Sequence, residues 1–246
     1  MDALHGPGDA GPRHRRSPAT APDAGPLADR RLDAQRAALV RRPEPERNDN
    51  PETPMIGLPT ADDVLAFWFG TAPIAAPRAA WFDKSDAFDA EVRARFLPLW
   101  EALCAGNADT WMDTPLEAIA RIVVLDQFPR NMFRGAPRAF ASDAAALHTA
   151  RIVVAAGWDA ELPTRFHRMF CYLPFEHSEV LAVQDESIRL FTRLRDREGD
   201  ADSLVWAHKH RDIIARFGRF PHRNAVLGRA PTPEETVFLA QPGAAF

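Results

Sequence analysis

From residue 58 onward, apolar side chains recur at spacings of three and four, interrupted by residues that start and stop helices. Thr60 precedes "ADDVLAFWF" as an N-cap with acids in the first turn, and Gly70 ends that segment. Ser85 opens a longer helix in which Phe88, Val92, Phe96, Leu99 and Leu103 share a face. Gly106 follows its end, and Pro98 inside it predicts a kink. "TPLE" at 114–117 is a capping box, with Thr114 at the cap, Pro115 first in the helix and Glu117 third. Residues 142–156 read as a helix closed by Gly157, and Pro163 opens a short one with Phe166, Met169 and Phe170 that closes before Pro174. A long helix is expected from His177 to about residue 195. Ser203 caps "LVWAHKHRDIIARF", closed by Gly218, and "TPEE" at 232–235 repeats the capping box. The β-branched runs "RIVVLD" and "RIVVAAG" lie inside longer helical periods and read as buried helix. About eight helices, short Pro/Gly connections and no repeat of about 34 residues predict one all-α domain of antiparallel helical hairpins over residues 55–246.

The informative positions are polar residues where the period demands apolar ones. "LDQFPRNMFRG" at 125–135 and "FGRFPHRNAVLGR" at 217–229 both place Phe-Pro after an apolar helix, with Arg and Asn just beyond. The first helix is expected to stop at Pro129. Asp126 shares the face of Ile119, Ile122 and Val123. It would sit at a helix C-terminus, where the macrodipole disfavours a negative charge, so it needs a partner such as Arg130 or Arg134. His177, Leu181, Gln184, Ile188 and Phe191 form one stripe, with Glu176 and Glu179 in its first turn. Trp206, His210, Ile213 and Phe217 form another, which turns His210 inward. Arg216, Arg219, His222, Arg223 and Asn224 crowd the end of that helix. Singly, each fits a satisfied structural network of arginines on orphan carbonyls and Asn in a turn. Together they are many costly groups for one core, and such groups gather at functional sites.

Net charge is −4, which excludes a general affinity for nucleic acid or anionic membranes, and no apolar run is long enough to cross a bilayer. The two lysines, Lys84 and Lys209, stand against 28 arginines, a compositional bias that carries no function. Cys104 and Cys171 read as reduced thiols of a cytoplasmic protein. Residues 1–54 hold nine of the 22 prolines, nine arginines and no aromatic residue. That composition reads as a disordered extension, apart from a short helix over residues 32–40. A misassigned start, with Met55 as the first residue, is the second reading, and a regulatory arm the third.

Specific chemistries find little support. His177 and Glu179 are two apart and diverge on a helix. His208 and Asp212 have metal-ligand spacing on a solvated face. The chain has no H-E-x-x-H, C-x-x-C or Gly-rich phosphate loop. Cys171 in "MFCYL" reads as core, because nothing near it in sequence would lower its pKa. No cofactor or metal is indicated.

"DVLAFWFG", "WFDKSDAFD", "LDQFPRNMFRG", "AFASDAAAL", "YLPFEHSE", "HRDIIARFGRFPHRNAVLGR" and "TPEETVFL" resemble, in order, the motifs of the bacterial domain-of-unknown-function family 924. The resemblance runs from about Leu58 to Phe246 and leaves residues 1–54 outside. It implies an all-α, TPR-like fold in a cytosolic bacterial protein and no established activity. Residues matching its motifs are Asp126, Gln127, Arg130, Asn131, Arg134, His177, Glu179, Gln184, His210, Arg219, His222, Arg223 and Asn224. The residues themselves suggest a site for a small anionic ligand, binding or catalytic. His177 or His210 would carry a proton, oriented by Asp126 or Glu179. Gln127, Arg130, Arg134, Gln184, Arg219, His222, Arg223 and Asn224 would bind the ligand. The rival is a TPR-like scaffold for a protein or peptide. The two Phe-Pro ends and the His177 helix are expected to meet around one cleft.

Overall fold

The computed structural model describes residues 57–71, 74, 76–105 and 111–244. The expectations for residues 1–54 and for Gly106 lie outside the described residues. Among these residues every regular element is helical: α1 (Ala61–Phe69), α2 (Asp86–Cys104), α3 (Pro115–Ile122), a π-helical turn (Val123–Gln127), α4 (Phe128–Met132), α5 (Asp143–Ala156), α6 (Arg165–Glu176), α7 (Leu181–Glu198), α8 (Ala201–Phe217) and α9 (Pro233–Leu239). Short 3-10 turns, residues 79–81, 137–140, 158–160 and 221–223, lie between them. The local grammar is realised at most ends. Thr60, Thr114 and Thr232 form reciprocal capping boxes with Asp63, Glu117 and Glu235. Ser85 caps α2, which continues through Pro98. Gly157 and Gly218 close α5 and α8 in the left-handed conformation. α8 is capped by Asp200, whose carboxylate accepts from the Ser203 amide at 3.2 Å, so Ser203 lies one turn inside.

α3, the π turn and α4 make one helical path through the middle of the protein. Every residue from Ala118 to Pro129 is buried, as expected of a helix apolar on nearly all sides. An aromatic cluster packs on it: Phe128 lies 4.6 Å from Phe96 and 5.7 Å from Trp68 between ring centroids, and Trp68 reaches Phe170 at 5.4 Å. α5 and α6 pack on the same path, and α7 and α8, joined through Gly199 and Asp200, form an antiparallel hairpin against α6.

Three expectations are corrected here. The helix does not stop at Pro129 but resumes as α4 after the π turn. Proline has no N–H for the carbonyl four residues back, Leu125. Ser142, at the start of α5, donates to that carbonyl at 2.5 Å and accepts from Trp100 Nε1 at 2.9 Å. A hydroxyl from another element thus replaces the missing backbone donor, and the chain stays helical. α6 likewise runs through Pro174 to Glu176. His177 is therefore the C-cap of α6, with φ −78° and ψ −8°, and α7 begins only at Leu181 after the extended Val180. His177 stands at the electronegative end of one helix, not at the electropositive start of another. Finally, Trp206 is 44 % exposed, so the α8 stripe that turns inward is narrower than expected and keeps His210 and Ile213.

Candidate functional site

Asp126 hangs from the π turn with no exposed surface. Its Oδ1 lies 2.8 Å from His177 Nδ1 and 3.2 Å from Arg130 Nη1, and its Oδ2 accepts from Gln127 Nε2 at 2.5 Å. Burial alone would raise this carboxyl, but the charge of Arg130 and the hydrogen bonds from His177 and Gln127 outweigh it and hold the group at about 2. An ionised carboxylate can only accept, so the hydrogen of His177 sits on Nδ1 and the basic lone pair on Nε2. Burial and the Arg130 charge lower the His177 pKa against the pull of Asp126, which keeps the ring neutral. The His177 side chain keeps 15 % exposure. A carboxylate-oriented neutral imidazole of this kind is equipped to take a proton.

Arg130 continues from Asp126 to the start of α5, where it forks onto Asp143 at 2.9 and 3.1 Å. Asp143 also receives Arg223 from the 3-10 turn after α8, at 3.4 Å. One carboxylate therefore serves two guanidinium groups. Arg223 is only 7 % exposed and is held between the rings of Phe140 and Phe220, 4.6 and 4.5 Å from their centroids. Its hydrogen bonding is otherwise thin: Nε is buried with no partner among the described residues. Burial and the neighbouring Arg130 charge lower its pKa to about 10.

Glu176, the last residue of α6, enters the same region. It is 4 % exposed, its Oε1 lies 3.1 Å from His210 Nδ1, and its Oε2 has no partner among the described residues. Burial, reinforced by the charge of Asp126, pushes its carboxyl up to about 8, so it is protonated at neutral pH. His210 Nδ1 also lies 2.9 Å from the Trp206 carbonyl, which can only accept, so this nitrogen carries the hydrogen. Burial lowers His210 to about 3 and His222 to about 4, leaving both neutral. The His177 and His210 rings are 6.4 Å apart, and His210 lies 5.5 Å from the Phe220 ring that also contacts Arg223 and His222.

Of the sequence-derived candidates, Asp126, Gln127, Arg130, His177, His210, His222 and Arg223 come together. The others are placed in clips. Glu179 accepts the Phe220 amide at 2.8 Å and both arms of Arg229, at 2.7 and 3.0 Å. This ties the α6–α7 connection to the segment after α8. Arg219 forks onto Glu235 at 2.7 and 2.8 Å, and Asn224 and the Thr232 amide donate to the same carboxylate. Gln184 donates to the carbonyls of Glu176 and Ser178, at 2.6 and 2.7 Å, and so caps the end of α6. Arg134 and Asn131 reach Asp89 on α2, at 2.7 Å each, and Arg134 is exposed.

Sequence reasoning named Glu176 without assigning it a role and passed over Asp143 and Arg229. Asp143 carries no local signal, since an acid in the first turn of a helix is ordinary. Arg229 is one loop arginine among many. Among the described residues no group of three His, Cys, Asp or Glu side chains has metal-binding geometry. A separate pocket of about 480 Å³ lies between α1 and the start of α6, lined by Leu65, Phe69, Ile74, Pro163 and His167. None of the candidate residues lines it.

Comparison with curated proteins gives no match. A solved structure of a protein of unknown function from Agrobacterium tumefaciens is similar, with 38% identity and a TM-score of 0.65, covering 73% of this chain and 96% of that one. The model for bacterial proteins of unknown function DUF924 matches residues 64–243. That match spans the helical path, the Asp126–His177 pair and both Phe-Pro segments, and the chain belongs to the DUF924 family.

Proposed function

We propose that the cluster around Asp126, His177 and Arg223 binds the ionised group of a small anionic ligand and can take a proton from a neighbouring group of that ligand. The observation that carries this reading is Arg223. A guanidinium has five N–H donors, yet among the described residues this buried one has a single long hydrogen bond, to a carboxylate it shares with Arg130. Leaving buried donors unsatisfied costs about 1–3 kcal/mol, more for charged groups, and a bound oxyanion would remove that cost. His177 Nε2 would then be the base beside the anion, fixed by Asp126. The free thiols Cys104 and Cys171 fit a cytoplasmic setting.

The test is thermal unfolding of the full chain with acetate, sulfate and phosphate at matched ionic strength. Binding to the native state raises the melting temperature by mass action. We expect a concentration-dependent rise with at least one of the three that is absent in Arg223→Met. A flat response to all three would overturn the reading. A TPR-like scaffold for a peptide is the second reading, favoured by the exposed Val205 and Trp206 on α8. It gains if those residues, and not Arg223, control binding of peptides from a random library.

A further inference from the structure

We propose that Glu176 is the neutral proton donor of the anion site, its buried carboxyl group giving a hydrogen bond to a fully ionised oxyanion that Arg223 holds. This deepens the anion-site reading and rests on it. The ligand class it specifies is a carboxylate, sulfate or phosphate group that arrives already ionised and accepts from a carboxylic acid.

Glu176 closes α6, and the next residue, His177, turns to Asp126 while Glu176 turns to His210. Glu176 Oε1 meets the hydrogen-bearing Nδ1 of His210, so Oε1 is the accepting oxygen. The remaining oxygen, Oε2, is buried and unpartnered among the described residues, and there the acid proton has no acceptor. Arg223 Nε is a second buried donor without an acceptor among the described residues, and its guanidinium and the His210 ring lie against the same Phe220 side chain, at 4.5 and 5.5 Å. Two buried donors that lack acceptors among the described residues, linked through His210 and the Phe220 ring, are what an oxyanion would satisfy. An ionised Glu176 would instead repel it. His210 from α8 lies 3.1 Å from this carboxyl and the charge of Asp126 from the central helical path acts on it, while Arg130, Asp143, His222 and Arg223 complete the cluster. Asp126 is the ionised neighbour that most opposes ionisation of Glu176. Its charge and the lack of solvent keep the carboxyl neutral near pH 7.

The experiment is titration of the full chain with sulfate, which does not change charge over the range used, from pH 6 to pH 9.5. If the protonated carboxyl is required, apparent affinity scales with its protonated fraction. Wild type should bind about tenfold more weakly one pH unit above the ionisation point than well below it. Glu176→Gln, which donates at every pH, should bind independently of pH. Equal pH profiles in wild type and Glu176→Gln, whether flat or sloping, would overturn the proposal. Absence of sulfate binding in wild type at every pH would overturn the proposal for Glu176, and absence of acetate and phosphate binding as well would overturn the anion-site reading itself. Should Glu176→Gln fail to fold, the wild-type infrared spectrum decides. A carboxylic-acid C=O band present at pH 7 that shifts on adding sulfate supports the donor role, and a band that is absent or unmoved refutes it.

Discussion

Phe128-Pro129 and Phe220-Pro221 bury the same two residue types and are followed by the same Arg-Asn pair, yet one lies inside a helical path and the other after a helix has ended. The difference begins one step earlier in the chain. Gly218 adopts φ +69° and closes α8 before Phe220 arrives, so Pro221 meets no helical hydrogen bond to break. No residue of that kind precedes Pro129. There the π turn and the Ser142 hydroxyl accept the proline, and the helix continues. In consequence Arg130 stays one turn from Asp126 on the same path, whereas Arg223 arrives from a turn held by Glu179, Arg229 and Glu235. Asp143 is where the two segments meet. A sequence motif does not set its own conformation, because its hydrogen-bond acceptors can be served from elsewhere.

Acid should separate the two regions most strongly. His210 and His222 belong to the second region and are held at about 3 and about 4 by burial, while His177, in the first, is lowered against the opposing pull of Asp126. Each is neutral when folded and takes up a proton near pH 6.5 when unfolded. Their contribution is therefore present above pH 6.5 and is lost as pH falls toward 4. Glu176, raised to about 8, has the opposite sign: its penalty appears as pH rises above its unfolded value and is complete above 8. Melting temperature measured from pH 8 to pH 4 should fall on the acid side. His210→Phe should move that fall to lower pH by more than His177→Asn does. An acid limb unchanged in both variants would count against the neutral histidines.

Asp126→Asn should be the largest single loss at neutral pH, about 3–5 kcal/mol by denaturant titration, because it removes the fully buried charge that pairs with Arg130 and orients His177, leaving Arg130 only the part-exposed Asp143. A loss under about 1 kcal/mol would be that of an exposed pair and would contradict the burial of Asp126. Ser142→Ala should cost about 1–3 kcal/mol by orphaning the Leu125 carbonyl. Pro129→Ala supplies a backbone N–H that can reach the same carbonyl, so the double variant should lose less than the sum of the singles. Strict additivity would show that Ser142 does not stand in for the proline. At the other segment, Gly218→Ala should cost about 1–2 kcal/mol for a Cβ in the left-handed conformation, with space around it empty of clashes. The smallest effect on the fold should be that of Arg223→Met, under about 1 kcal/mol, since an apolar replacement of similar length removes donors that lack acceptors. A large loss would make Arg223 structural and remove the basis of the anion site.

What the sequence alone determined is what hydrogen bonds between near neighbours determine. Thr60, Thr114 and Thr232 find their partners three residues away, and Gly157 and Gly218 end helices by their own φ. Those signals set the helix order, the all-α class and the inward face of the 118–129 path. The pairings of the candidate site span far more chain: 51 residues from His177 to Asp126, 80 from Arg223 to Asp143, 50 from Arg229 to Glu179. With 28 arginines in the chain, composition cannot say which carboxylate each one reaches. Only packing decided that Arg219 and Arg134 are locked in clips while Arg223 is left with spare donors. Packing likewise placed Pro129 and Pro174 inside helices, because the carbonyl a proline leaves open is answered, where it is answered, by a residue distant in sequence. Local rules see a proline's missing N–H, but the hydroxyl of Ser142 that makes it tolerable comes into reach only when α5 folds against the central path.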